Sequence, residues 1–411
     1  MGAEFAPALS QLGGERPGAL ASGYRQLTLV LVADLSGGGG MDELTAHDAA
    51  ALRDLYYRAG PYASVYVDVR AIGVPEAVPR WRAVGAQLAQ QGAGPELVDV
   101  VRDHVLAAAP GPGMLAVFAA RHQVLLAVAM PGWTGGDMAR FDVLPDLLPL
   151  LEWLQSRPAY LTAVVDRTGA DITLYPGGAG RPTRWSVFGS DDEIERNAPG
   201  GWAQARYQRR AEDSWEHNAV RVVDELVPAL RRHAVRLLVL AGDPRALQYL
   251  EKHLPAGVAK RVVVRHVSGG RHPDGSEAVR AEQVEVDLRL AVAERTAELL
   301  TQFDEERGPG GRAVEGVSPT LQALAEGRVR VLLLAPDAGR AGRTAWFGPD
   351  GAQVAADRET LERVGASTQQ ARLADIAVRA TLLTGAHIRI LPVTGLPGTP
   401  REGIGALCRF R

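Results

Sequence analysis

A single cysteine, Cys408, stands in 411 residues, which excludes an internal disulfide framework and any cysteine-rich zinc site. No apolar run approaches the roughly 20 residues that a helix needs to span a bilayer. The N-terminus lacks a charged segment leading into an apolar one, so no export signal is read there and a cytoplasmic protein is expected. An excess of one charge is missing too. Lys and Arg number 45 against 48 Asp and Glu, a formal net charge of −3. The chain as a whole is therefore no polyanion binder, and any contact with nucleic acid must come from a local patch. Neither a membrane nor DNA is expected as a partner. Arginine greatly outnumbers lysine, which in a chain this rich in Ala, Gly and Val reflects a GC-rich genome and carries little weight.

Constellations that would carry chemistry are also scarce. His217, His233, His253, His266 and His272 are scattered without metal-ligand spacing, so no metal or cofactor is expected. No Ser-x-x-Lys or Gly-x-Ser-x-Gly nucleophile is present. Gly177-Gly178-Ala179-Gly180-Arg181 is glycine-rich, but it does not open a helix after a strand as a phosphate cradle must, and it reads as a hairpin or surface loop. Asp166 and Asp171 flank a turn at Gly169 and are expected to serve it through local hydrogen bonds.

What is there is an ordinary globular composition, 46% apolar and 23% charged, in a chain too long for one core. Residues 1–40 end in Gly37–Gly40, a flexible-linker composition, and read as an extension. A helix over Leu44–Arg58, an alternating strand at Tyr62–Val69 and helices over Glu76–Gln91 and Pro95–Ala109 follow. Met114–Ala119 and Val124–Met130 form a hairpin candidate, and this first unit runs over 41–155. The second, 156–277, opens on the hairpin Tyr160–Asp166 and Asp171–Tyr175. It holds a long helix, a buried strand at Arg236–Gly242, a helix begun by Asp243-Pro244 and a strand at Arg261–Val267. The third, 278–411, has helices near Glu277–Glu306, Ser318–Glu326 and Gln370–Leu383, with strands at Val329–Leu334 and Ile388–Pro392. Short-looped alternation of strands and helices gives an α/β fold class in three domains.

The most informative stretch is Pro199-Gly-Gly-Trp-Ala-Gln-Ala-Arg-Tyr-Gln-Arg-Arg210. Glycines let backbone approach another surface closely, and arginines at a loop–helix junction suit phosphate oxygens. No acid occurs from Arg196 to Arg210. At about 100° per residue, Ala211, Trp215, Ala219, Val222, Leu226 and Leu230 share one face of the long helix. Arg206, Arg210, His217 and Arg221 share the opposite one. Glu212, Asp213, Glu216 and Asp224 dilute the basic stripe beyond the first two turns, and periodicity alone is satisfied by a solvated amphipathic helix.

The middle unit resembles the central domain of archaeo-eukaryotic class-1 release factors and Pelota-type rescue factors. In release factors that domain carries a Gly-Gly-Gln loop before a helix. Here Gly200-Gly201-Trp202-Ala203-Gln204-Ala205-Arg206-Tyr207 occupies the stretch, His217-Asn218 follows further along, and Leu237–Gly242 fits the next strand. Ala323–Leu334 resembles the C-terminal domain of that family, an α/β fold shared with kink-turn ribosomal proteins. From Met41 onwards the chain is similar to the bacterial branch, which includes Actinobacterial dormancy-associated proteins and Balon-like ribosome hibernation factors. Gly60–Tyr66 and Gly403–Phe410 carry that likeness.

The resemblance implies a factor that enters the ribosomal A site, with Gly200, Gly201, Trp202, Gln204, Arg206, Arg209, Arg210, His217 and Arg221 facing ribosomal RNA near the peptidyl-transferase centre. It also implies elongation factor Tu as a partner. The first unit shows no stop-codon-reading motif, so codon-dependent release is not expected. Trp202 stands where release factors need glutamine; its indole N–H donates but cannot accept, so the reading leans against an enzyme. The alternative is a peptidyl-tRNA hydrolase for stalled or split ribosomes, with Gln204 as its weak catalytic candidate. A third reading is a protein that binds structured RNA off the ribosome through its third unit.

Overall fold

In the computed structural model the described residues are 46–58, 60–70, 74–178, 180–189, 201–233, 235–271, 277–336, 342–392 and 396–411; within them, the side chains of 46, 47, 74–77 and 201–213 are not described. The expected extension over 1–40, the acidic stretch 190–195 and His272 lie outside these residues.

Val, Tyr and Ala fill β1 (Tyr62–Asp68), which lies second from the edge of an antiparallel sheet. With β2 (Met114–Ala120), β3 (Gln123–Met130) and β4 (Met138–Asp142), the order is β3-β2-β1-β4. The β2–β3 hairpin forms as expected, Met114 opposite Met130. On one face, α2 (Val74–Gln90) and α3 (Pro95–Ala107) bury Trp81, Val84, Leu88, Val101 and Val105 against Val65, Val67 and Val117. On the other, Tyr66 and Phe118 meet α1 (Ala46–Tyr56) and α4 (Leu148–Gln155). Alternation marked β1 as a strand, but helices cover both faces and six of its seven residues are buried.

The central sheet combines β5 (Tyr160–Asp166), β6 (Gly169–Tyr175), β7 (Thr183–Phe188), β8 (Leu237–Gly242) and β9 (Val263–His266) in the order β7-β6-β5-β8-β9. Strand β8 runs parallel to both β5 and β9, whereas β6 pairs antiparallel with β5 and β7. One face carries α5 (Gly201–Arg232), α6 (Pro244–His253) and the short α7 (Ala256–Ala259). Helix α6 starts as its sequence indicates: Pro244 is its first residue, and Asp243 Oδ1 accepts from the N–H groups of Arg245 and Ala246 at 2.8 and 3.3 Å.

Against the other face lies α8 (Glu277–Glu305), 29 residues and about 43 Å long. Its first half buries Val284, Leu288 and Ala291 on Leu237 and Val239. Its second half buries Leu299, Leu300 and Phe303 on a third sheet. That sheet has the order β10-β16-β11-β15, from β10 (Ala313–Glu315), β16 (Ile404–Cys408), β11 (Val329–Leu334) and β15 (His387–Ile390). Buried Arg389 on β15 ties the helix to it, donating to Val292 O at 2.9 Å and to Thr296 Oγ1. A small sheet of β12 (Thr344–Phe347), β13 (Val354–Ala355) and β14 (Gln369–Arg372) completes the third unit, with α9 (Val317–Ala325), α10 (Arg358–Glu362) and α11 (Leu373–Leu383). The helix expected from Gln370 begins only at Leu373, because Gln369–Arg372 pairs with β12 as a strand.

The first and third units share one apolar cluster, with Phe118, Leu151 and Trp153 in it alongside Leu332, Ile376 and Ile390. Gln155 acts as a polar splint at this seam. Its amide donates to Ile388 O at 2.7 Å and accepts from Ile390 N–H at 2.9 Å, so it occupies the open edge of β15.

Candidate nucleic-acid interface

Helix α5 has two regimes. From residue 214 onwards its apolar stripe is packed: Ala219, Val222, Leu226 and Leu230 are buried on the central sheet and Trp215 is half-buried. Burying each such Leu or Val contributes about 1.5–3 kcal/mol. His217 and Arg221, four residues apart on the opposite side, are exposed, as the periodicity requires. Earlier in the helix, Gly201, Trp202, Gln204, Arg206, Arg209 and Arg210 occupy the first three turns of continuous α-helix, with no acid in the first turn. Gly200 lies outside the described residues. The backbone thus unites all the expected site residues except Gly200 on one helix, but only His217 and Arg221 have described side chains.

Glu216, beside His217 in the chain, turns to the neighbouring helix. Glu216 Oε1 accepts from Lys252 Nζ at 2.8 Å and contacts His253 Nε2 at 2.9 Å, both on α6. The Lys252 hydrogen bond, aided by His253, holds the Glu216 carboxyl below its usual range. Its charge is directed to the α5–α6 seam.

The socket that holds the helix is the β5–β6 turn, residues 166–169. Buried Asn218 donates from Nδ2 to Arg167 O at 2.7 Å. Gly189 N–H donates to Thr168 O at 2.7 Å, bringing the end of β7 against Asn218 so closely that a Cβ at 189 would overlap the Asn218 amide. From Asn218 back to Gly201 is 17 residues of helix, about 26 Å. The helix start therefore stands that far along its axis from the point where β7 and the turn grip it.

Arg271 locks this socket. It donates from Nε and Nη2 to both oxygens of Asp171 at 3.1 Å and from Nη1 to Asp166 Oδ1 and Thr168 Oγ1 at 3.0 Å. It also lies 5.7 Å from the Phe188 ring centre. Asp166 accepts from Thr168 N–H and Oγ1 at 2.7 Å, the local role expected of it. The expectation for Asp171 needs correction: its oxygens go to Ser186 on β7 and to Arg271, 100 residues away. Burial opposes ionisation of Asp166, but bonds from Thr168 and Arg271 outweigh it and keep its carboxyl low. For Asp171 the Arg271 bonds dominate in the same direction. Nothing in local sequence points to Arg271, because its partners come from a hairpin a hundred residues earlier.

Among the described residues no group of three His, Cys, Asp or Glu could hold a metal ion, and no helix is long and apolar enough to cross a membrane.

Residues 159–309 match the family described as bacterial archaeo-eukaryotic release factor family 2. Uncharacterized proteins from two strains of Mycobacterium tuberculosis, CDC 1551 / Oshkosh and H37Rv, are each 29% identical over 374 residues, 87% of this chain and 96% of theirs. Among solved structures, a ribosome-bound archaeal Pelota with ABCE1 aligns over 88% of this chain and 94% of its own at 14% identity, with a TM-score of 0.36. The archaeal translation termination factor aRF1 aligns over 92% and 100% at 15% identity, with a TM-score of 0.24. The family match takes in the central sheet, the socket, α5 and the bridging helix α8, so this part of the chain is similar to the bacterial archaeo-eukaryotic release factor family.

Proposed function

We propose that this protein is a ribosome-binding factor that enters the A site and protects or silences idle ribosomes, without reading stop codons. The observation that carries this reading is the start of α5. An acid-free first turn stands about 26 Å along the helix from its anchor at Asn218, inside the segment that matches a release-factor family. In this reading the central unit, 156–277, is the probe and the units 41–155 and 278–411 hold it in place. Gly200, Gly201, Trp202, Arg206, Arg209 and Arg210 contact ribosomal RNA near the peptidyl-transferase centre, with His217 and Arg221 extending the contact along the helix. Trp202 stacks on a base, as sequence-tolerant RNA binders do. Elongation factor Tu is the delivery partner this reading assigns.

Such contacts are dominated by phosphate, so affinity falls steeply with salt. Replacing Arg206, Arg209 and Arg210 together by alanine should flatten the log–log salt slope by roughly 2–3 in ribosome co-sedimentation. If the triple variant pellets as well as the parent across the salt series, the site assignment is wrong.

No peptidyl-tRNA hydrolysis belongs to this reading. Trp202 occupies the glutamine position, and the backbone is already helical there. Gln204 is two helical residues on, about 200° around the axis and 3 Å along it, so it reaches the same place only if the first turn unwinds. Incubation with stalled complexes should release no tRNA above background; release abolished by Gln204→Ala would establish the enzymatic alternative instead.

A further inference from the structure

Where the first and third units meet, a cavity of about 420 Å³ opens beside the end of α1, the start of β1, the end of β12 and α11. Its polar lining comprises Arg58, Arg379, Tyr56, Tyr62, Ser367 and Gln369, and no carboxylate is among the lining residues. Arg379 is only 5% exposed. Its guanidinium donates to Asp350 O at 3.1 Å and Pro349 O at 2.7 Å and lies 5.1 Å from the Phe347 ring centre. Those partners bring no formal negative charge. The nearby Asp350 carboxylate accepts from Ala352 N–H instead, at 3.0 Å. Burial disfavours the charged form of Arg379, the Asp350 carboxylate acts on it only through space without a hydrogen bond to it, and the cavity lies next to it.

Arg58 comes from the opposite unit and is exposed; its side chain makes no ion pair among the described residues. Tyr56, forming the rear wall, has a buried hydroxyl with no hydrogen-bond partner. Burial holds that phenol well above its ordinary range, so it stays protonated. Tyr62 closes one side, its hydroxyl donating to Leu55 O at 2.9 Å. Two guanidiniums from different units, hydroxyls, an amide and no acid form the donor set for an oxyanion, in a volume typical of small-molecule sites at junctions between units.

We propose that this seam cavity binds a small phosphate-bearing ligand, its oxyanion held between Arg379 of the third unit and Arg58 of the first. Phosphate could arrive free or as the monoester of a nucleotide. The test is the thermal unfolding midpoint of the full chain titrated with inorganic phosphate, with a nucleoside monophosphate, and with chloride at matched ionic strength. The expected result is a saturable rise with at least one phosphate species and none with chloride. Arg58→Ala, on the surface, should weaken the apparent affinity about tenfold or more, and Arg379→Lys, confirmed folded by its own ligand-free midpoint, should weaken it as well. A rise with phosphate alone identifies the free ion as sufficient; a rise only with the monophosphate identifies the nucleotide. No saturable rise with either, or an equal rise in Arg58→Ala, overturns the proposal.

Discussion

Replacing Arg271 by alanine removes a side chain that joins the β5–β6 turn to the segment after β9. The guanidinium makes four hydrogen bonds to Asp166, Thr168 and Asp171 and its side chain is 12% exposed. A hydrogen bond to a charged group contributes about 1.5–3 kcal/mol when shielded. The Asp171 side chain is 46% exposed, so that pair falls towards the roughly 0–1 kcal/mol of a surface ion pair. The Asp166–Thr168 side, with Asp166 at 27%, accounts for most of the loss. We expect a total of about 2–3 kcal/mol at neutral pH, read as a lower urea midpoint at unchanged slope.

The sign of the pH dependence follows from the carboxyls. Both lie below the ordinary value of 3.8 in the folded protein. Their contribution is therefore complete above that value and is lost as pH falls through the depressed ones. The gap between parent and variant should shrink under acid conditions. A difference under about 0.5 kcal/mol at neutral pH, or one that persists when both acids are protonated, would refute the clamp. Because Arg167 and Thr168 in the same turn hold Asn218 and Gly189, the variant should also speed amide exchange around residue 218 of α5.

Asp375 titrates in the opposite sense. Burial first, then the neighbouring Asp146 charge, pushes its carboxyl up to about 7 against the favourable Arg372, which donates to it at 2.7 and 2.9 Å. A folded value above the unfolded 3.8 means its stabilisation is present below that and is lost as pH rises through about 7. Asp375→Asn should flatten the decline in unfolding midpoint over this window; an unchanged pH profile would contradict the assignment. Gly189→Ala should displace the Asn218 amide and break its bond to Arg167, at a cost of about 1–3 kcal/mol measured by urea unfolding. A neutral effect would show that the β7 end does not seat against α5.

Much of the fold was legible because it rests on local periodicity. The Tyr160–Tyr175 hairpin, the α6 cap at Asp243 and the buried stripe Ala219–Leu230 appear where spacing and capping residues put them. Strand β7 is hard to read because half its residues are exposed and polar at a sheet edge, and Gln370–Arg372 reads as helix because its pairing partners lie 24 to 28 residues away on β12. The same limit governed the site. Arg206, Arg209 and Arg210 could be placed at the start of α5 from sequence, whereas Gly201 read as loop and is already helical, and Arg271 and Gly189 owe their roles to contacts that form only when β6, β7 and the segment after β9 come together. Likewise Gln155 is an unremarkable helix-end residue until the third unit presents the edge of β15 to it.

The central claim is that the start of α5 meets ribosomal RNA, and a cryo-electron microscopy map of the protein on vacant ribosomes tests it most directly. The expected map shows residues 201–210 against ribosomal RNA beside the peptidyl-transferase centre, with Trp202 in contact with a base. A map in which the protein sits elsewhere, or in which that helix start faces solvent while another surface makes the contacts, would contradict it.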